Sequence, residues 1–281
     1  MHFWEGNVFK MMTKRLGVFL VAVILFASSA SIASETEEWP VLQRIVKSGK
    51  IRVGMSGDQA PFNAISKTGE FIGFEVDLIK MIGQSMGVEV EFVTKPFPEL
   101  LPALKASEVD IVMSGMAINA ERSLDAVFVG PYMMSGKSIL TNSETLAAAR
   151  TAKEVDQANI TVAALRNSTS EAYVKKHLPK AKLITTEKYD AAIQMVIKDE
   201  VDALVADMPA CMLAVFRYPD QGLETLSAPL TVEPVGIAVP ASELSLQSLL
   251  ENYLDAFEDS GLLDLLRVQW LESGDWVDQL P

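Results

Sequence analysis

From Ile51 to Ser114 the chain alternates strand-like and helix-like segments, and no other feature restricts its fold so tightly. "KIRVGMS" reads as a strand. "GFEVDLIKMIGQSMG" places Phe74, Leu78, Met81, Ile82 and Met86 at helical spacing and closes on Gly87. "VEVEFVT" alternates as a strand, "FPELLPALKAS" reads as a helix, and "VDIVMS" as the next strand. Between the first strand and its helix, "GDQAPFNAISKTGEF" is rich in turn residues and reads as a loop. Alternation of this kind predicts parallel βαβ units and an α/β fold.

The second half repeats the theme. "NITVAALR", "AKLITT" and "VDALVAD" read as strands, each followed by a helix, the last with Pro209 near its start. "PLTVEPVGIAVP" is extended, and "SLQSLLENYLDAFEDSG" and "LLDLLRVQWL" are amphipathic helices. Two α/β units and a helical tail are therefore expected.

The first residues differ in kind. Lys10, Lys14 and Arg15 precede an apolar stretch from Leu16 to Ala27, and Ser31-Ile32-Ala33 fits a small-residue cleavage site. This is the layout of a secretory signal peptide over residues 1–33. As a membrane anchor the stretch falls short of the ~20 residues a spanning helix needs. Export of the mature chain, to the periplasm, is expected. The single cysteine, Cys211, excludes an internal disulfide, and the histidines are only His2 and His177. No metal-ligand spacing and no Ser-His-Asp set stands out, so neither metal nor cofactor is expected. A formal net charge of −13 argues against nucleic acid or anionic membrane as partner.

"GFEVDLIKMIGQSM" carries acids, Glu75 and Asp77, inside an apolar frame, which helical periodicity alone does not explain. With "GKIRVGMSGDQAPF", "SEVDIVMSGMAINAER", "FVGPYMMSGKSIL" and "SGLLDLLRVQWL" in the same order, the chain resembles the bacterial extracellular solute-binding proteins of family 3. These are polar amino-acid binding proteins of ABC transporters. The resemblance implies a two-lobe, type II periplasmic-binding-protein fold, with a ligand cleft between lobes joined by two hinge strands. It places the first part of lobe one in residues 34–140, lobe two in residues 141–232, and the completion of lobe one in residues 233–281.

It also implies roles for particular residues. Arg122 stands at the carboxylate-binding arginine and Asp207 at the ammonium-binding aspartate, with Thr169 at a ligand-binding threonine. Ser114, Gly115 and Ala117 lie on the ligand loop, and Ser168 at a helix start that favours anions. Asp58, Gln59 and Phe97 lie where side-chain contacts are made. Plainer structural roles compete: a solvated first-turn position for Arg122, and helix N-caps for Ser168 and Asp207. Two positions depart from the family. Ala117 replaces a usual Ser or Thr, and Gln59 a frequent aromatic.

The function implied is capture of an amino acid or similar small polar carboxylate, without catalysis, and its delivery to an ABC membrane permease. An enzyme on the same fold, of the cyclohexadienyl or arogenate dehydratase kind, or a ligand-sensing module, is the alternative. Glu99, Glu171 and Asp207 are its candidate acids.

Overall fold

The computed structural model describes residues 41–281, and the expected signal peptide lies outside them. A helix, Val41–Ser48, precedes thirteen strands: β1 (Lys50–Met55), β2 (Asp58–Gln59), β3 (Asn63–Ile65), β4 (Phe71–Ile72), β5 (Glu89–Thr94), β6 (Ile111–Val112) and β7 (Val127–Ser135), then β8 (Lys137–Thr141), β9 (Thr161–Leu165), β10 (Lys182–Thr186), β11 (Ala203–Asp207), β12 (Glu224–Thr225) and β13 (Glu233–Val239). They form two five-stranded sheets, ordered β5-β1-β6-β13-β7 and β10-β9-β11-β8-β12, and a small sheet β2-β3-β4.

Each large sheet is the core of one lobe. β1 runs parallel to β5 and β6, and β9 runs parallel to β10 and β11, as strand–helix alternation requires. β13 is antiparallel to β6 and β7, and β8 antiparallel to β11. These antiparallel strands carry the chain between lobes. The fold is the two-lobe type II arrangement, α/β in each half.

The links are short. The first sheet ends at Ser135 and the second begins at Lys137, earlier than the Leu140 read from the sequence, because "YMMSGKSIL" is broken only at its glycine. A Cβ on Gly136 would stand 1.9 Å from the carbonyl oxygen of Thr231, so the outgoing and returning links touch at this residue. The Leu230 N–H donates to the Lys137 carbonyl at 2.6 Å, fastening the two links together.

The segment "GDQAPFNAISKTGEF" is not a plain loop. Gln59 pairs with Asn63 and Ala64 with Ile72 in the small sheet. Its strands are two or three residues long, too short for alternation to be visible in sequence.

The helix Phe74–Met86 buries Phe74, Val76, Leu78, Ile79 and Ile82 against the first sheet. Its two acids face different ways. Asp77 accepts from the Trp270 indole N–H at 2.9 Å and so fastens the C-terminal segment to lobe one. Glu75, fully buried, accepts from Asn63 Nδ2 and from the Gly115 N–H, both at 2.7 Å, and from the Tyr132 hydroxyl. Burial raises the Glu75 carboxyl above its ordinary pKa, and these three hydrogen bonds recover part of the cost.

Candidate functional site

The ligand loop follows β6, at the carboxyl end of a strand where α/β folds place their sites. Its backbone is held from both sides. Ser114 Oγ accepts from the Ser56 N–H and donates to Ser56 Oγ, both at 3.1 Å. The Gly115 N–H is taken by Glu75, which leaves its carbonyl as the backbone group of this residue that could meet a ligand. Gly115 has φ of 57°, and a Cβ there would stand 2.7 Å from Gln59 Oε1, so only glycine fits. Ala117 bridges to Val235, and the Ile118 N–H donates to the Pro234 carbonyl at 2.7 Å. The loop thus rests on β13, a hinge strand.

Asn119 Oδ1 accepts from the Arg122 N–H at 2.9 Å and starts one 3-10 turn, Arg122–Leu124, where a helix was expected. The turn leaves Arg122 half-buried rather than fully solvated. One guanidinium N–H donates to the Ala117 carbonyl at 2.8 Å. The guanidinium carbon lies 5.5 Å from the centre of the Phe97 ring, a cation–π contact. Among the described residues no carboxylate comes within ion-pairing distance of it. Burial lowers the Arg122 pKa, and the more distant charges of Asp207 and Glu233 partly offset this. An arginine stays charged under such a shift.

Arg122 opens on a cavity of about 260 Å³ lined by Phe97, Met116, Asn119, Ser168 and Thr169 among others. Ser168 caps the helix Thr169–His177: its hydroxyl accepts from the Glu171 N–H at 3.2 Å and donates to the Leu165 carbonyl at 2.6 Å. Glu171 completes the cap by accepting from the Asn167 N–H at 2.5 Å, and pairs with Lys175. It is therefore committed to the helix start and is not a free acid. Thr169 donates from its hydroxyl to Glu233 Oε2 at 2.9 Å.

Asp207 begins the helix Met208–Arg217 but makes no side-chain cap. Its Oδ1 instead accepts from Lys137 Nζ at 2.7 Å, and the same ammonium lies 3.0 Å from Glu233 Oε2. The Lys137 side chain is 1% exposed. Thr231 donates to Glu233 Oε1 at 3.0 Å. The heads of both hinge strands, Lys137 on β8 and Glu233 on β13, thus meet the end of β11.

Burial alone would raise the Glu233 carboxyl. The charge and hydrogen bond of Lys137, with those of Thr169 and Thr231, outweigh burial and hold it below the usual range. A depressed native pKa adds stability that is full above the unfolded value and is lost as pH falls through the native one. Thr169→Ala removes one donor and should flatten that loss. Urea melts at stepped pH, from about 6 down to about 3, should show less acid sensitivity in the variant than in the parent.

Gln59 is 3% exposed and packs over Gly115, with its Nε2 buried and unpartnered among the described residues. Asp58 lines a neighbouring cavity of about 650 Å³ with Glu99, Arg166 and Lys188. Burial raises the Asp58 carboxyl, with Ser56 and Lys188 opposing, and its Oδ1 has no partner. Phe62 is 2% exposed, a core side chain.

The structure therefore gathers Arg122, Phe97, Ser168 and Thr169 around one cavity and joins Asp207 to Thr169 through Lys137 and Glu233. Asp58 stands beside that group, while Ser114, Gly115, Ala117 and Gln59 form its backing. Lys137 and Glu233 were not singled out from sequence, although each is a charge at the head of an apolar strand, a place where a buried charge needs a partner.

A family model for bacterial extracellular solute-binding proteins, family 3, matches residues 51–273. Cyclohexadienyl dehydratase of Pseudomonas aeruginosa is 29% identical over 257 residues, which span 90% of this chain and 92% of that protein. The ABC transporter arginine-binding protein 1 of Escherichia coli is 27% identical over 229 residues, 79% of this chain and 90% of its own. Among solved structures, an ancestral amino acid-binding protein described as a precursor of cyclohexadienyl dehydratase superposes with a TM-score of 0.75 at 33% identity, covering 83% of this chain and 100% of its own. An ABC-transporter binding component of Wolinella succinogenes, complexed with lysine, gives 0.77 at 30% identity, covering 82% and 99%. The family match runs across both lobes and the cleft between them: the chain belongs to the bacterial extracellular solute-binding proteins of family 3.

Proposed function

We propose that the protein captures a small polar carboxylate, of the amino-acid size class, between its lobes and delivers it to an ABC membrane permease from the periplasm. The observation that carries this reading is Arg122, a half-buried cation lacking an ion-pair partner among the described residues and facing a small cavity. A ligand carboxylate would supply the missing charge, in the paired-oxygen geometry that a guanidinium prefers. The Ser168 helix start lies across the same cavity and adds a favourable dipole. Binding across the hinge would draw the lobes together. The E. coli and W. succinogenes relatives bear ABC-transporter names, which supports the transport role.

A second reading, catalysis, is favoured by two observations. The Pseudomonas relative is named a dehydratase, and Asp58 is a half-buried carboxyl with a raised pKa, the state a general acid needs.

A thermal-shift screen against amino acids, hydroxy and keto acids, dicarboxylates and polyamines tests the proposal. A ligand at a hundred times its Kd should stabilise the protein by about 2.7 kcal/mol, which for this size raises Tm by about 5–10 °C. Hits confined to cations without a carboxylate would overturn it. Conversion of a hit, followed by mass spectrometry, would favour catalysis.

A further inference from the structure

Family resemblance assigns Asp207 to a ligand ammonium, yet the structure gives that carboxylate a partner of its own. Lys137 Nζ stands 2.7 Å from Asp207 Oδ1 and 3.0 Å from Glu233 Oε2. Glu233 is held further by the chain, accepting from Thr169 and Thr231. Lys137 is locked in this place. Its backbone N–H donates to Thr231 Oγ1 at 2.8 Å, and its carbonyl accepts from Leu230. The ammonium itself is held by the two carboxylates, and its side chain is 1% exposed.

The cation and the carboxylates of the cleft are therefore unequal. Arg122 has no ion-pair partner among the described residues, whereas Asp207 and Glu233 share one, the Lys137 ammonium. A second ammonium arriving at Asp207 would come within a few ångströms of Lys137 in a poorly solvated site, where like charges repel strongly. A carboxylate arriving at Arg122 has no ion-pair partner to displace among the described residues, although Glu121 and Asp125 also line that cavity. Asp58, the other carboxyl nearby, faces the adjoining cavity with Lys188, and burial favours its neutral form.

We infer that Lys137 fills the subsite an α-ammonium would take, and that the solute is a small carboxylate without a free α-ammonium: a hydroxy, keto or unsaturated acid. The inference rests on the proposed Arg122 cleft and narrows its ligand class. Lys137 is then the residue that decides between amino acids and their deaminated counterparts.

Calorimetry with matched sets tests this directly: L-phenylalanine against phenylpyruvate and L-phenyllactate, and L-glutamate against 2-oxoglutarate and L-2-hydroxyglutarate. In the parent protein the deaminated member of a set should bind at least about tenfold tighter. In Lys137→Gln, which keeps a donor to Asp207, that ratio should move toward the amino acid by about tenfold or more. A parent protein that prefers the amino acids overturns the inference and needs no variant to do so. Arg122→Ala separates the two claims. If binding depends on Arg122 but amino acids are preferred, only the inference fails. If no probe binds, or binding survives Arg122→Ala, the cleft reading fails and the inference with it.

Discussion

Arg122→Ala should reduce affinity for the solute by about 30-fold or more while leaving the ligand-free Tm unchanged or higher. The affinity loss follows from truncating one partner of a desolvated charge pair, which costs roughly 2–5 kcal/mol at about 1.4 kcal/mol per tenfold. The unchanged Tm follows from what the chain itself offers the guanidinium. The half-buried guanidinium packs against Phe97 with one hydrogen bond, to the Ala117 carbonyl, and has no ion-pair partner among the described residues. Such a charge weakens the folded state, and its removal relieves a cost while losing about one ordinary hydrogen bond. Arg122→Lys should recover little binding, since a compact ammonium cannot meet both carboxylate oxygens in one plane. Calorimetry and thermal melts of the same preparations report both halves of this result. A variant that loses Tm and affinity together would assign Arg122 a structural role instead.

The second large effect is at Glu75. Glu75→Ala should cost about 3 kcal/mol or more, a fall in Tm of about 6–12 °C. Three buried donors, on Asn63, Gly115 and Tyr132, lose their acceptor at once. Glu75→Gln should be milder, at about 1–2 kcal/mol. Its carbonyl can still serve Gly115 and Tyr132, but its amide then faces the amide of Asn63. Asn63 cannot turn over to accept, because its Oδ1 already takes the Gly57 N–H at 2.8 Å. Both variants should also weaken solute binding, since the Gly115 N–H is one anchor of the loop that carries Arg122. Scanning calorimetry reads the stability order parent, Gln, Ala. An alanine variant as stable as the glutamine variant would mean that the hydrogen bonds to Glu75 contribute little.

The acids of "GFEVDLIK" show both the reach and the limit of reading this sequence. Their presence inside an apolar frame marked the family correctly, and the match over residues 51–273 bears that out. What they do was not legible. Glu75 reaches the ligand loop and Asp77 reaches Trp270, partners 40 and 193 residues away, at separations no local pattern encodes. Strand–helix alternation predicted both large sheets because its signal is local and repeated. The small sheet beside Gln59 escaped because its strands are shorter than one full alternation. A first-turn position for Arg122 is only partly right: Asn119 accepts from its N–H, but the chain must then enter β7 and stops after one 3-10 turn.

The cleft divides the same way. The positions of Arg122, Phe97, Ser168 and Thr169 could be placed from motifs, and the fold brings all four to one cavity. The assignment of Asp207 to an ammonium took no account of Lys137, which lies 70 residues earlier. Only folding shows that β8, β11 and β13 bring Lys137, Asp207 and Glu233 to a point. A lysine within "MMSGKSIL" was the available signal: a full charge in an apolar stretch must find a counter-charge, though sequence does not say which.

The central claim is that Arg122 receives a solute carboxylate between the lobes. A crystal structure of the protein loaded with its tightest-binding solute tests it most directly. A ligand carboxylate is expected with both oxygens at hydrogen-bonding distance, about 2.7–2.9 Å, from the Arg122 guanidinium, inside the cavity lined by Phe97 and Thr169. A solute bound elsewhere, with the Arg122 guanidinium still holding only the Ala117 carbonyl, would contradict it.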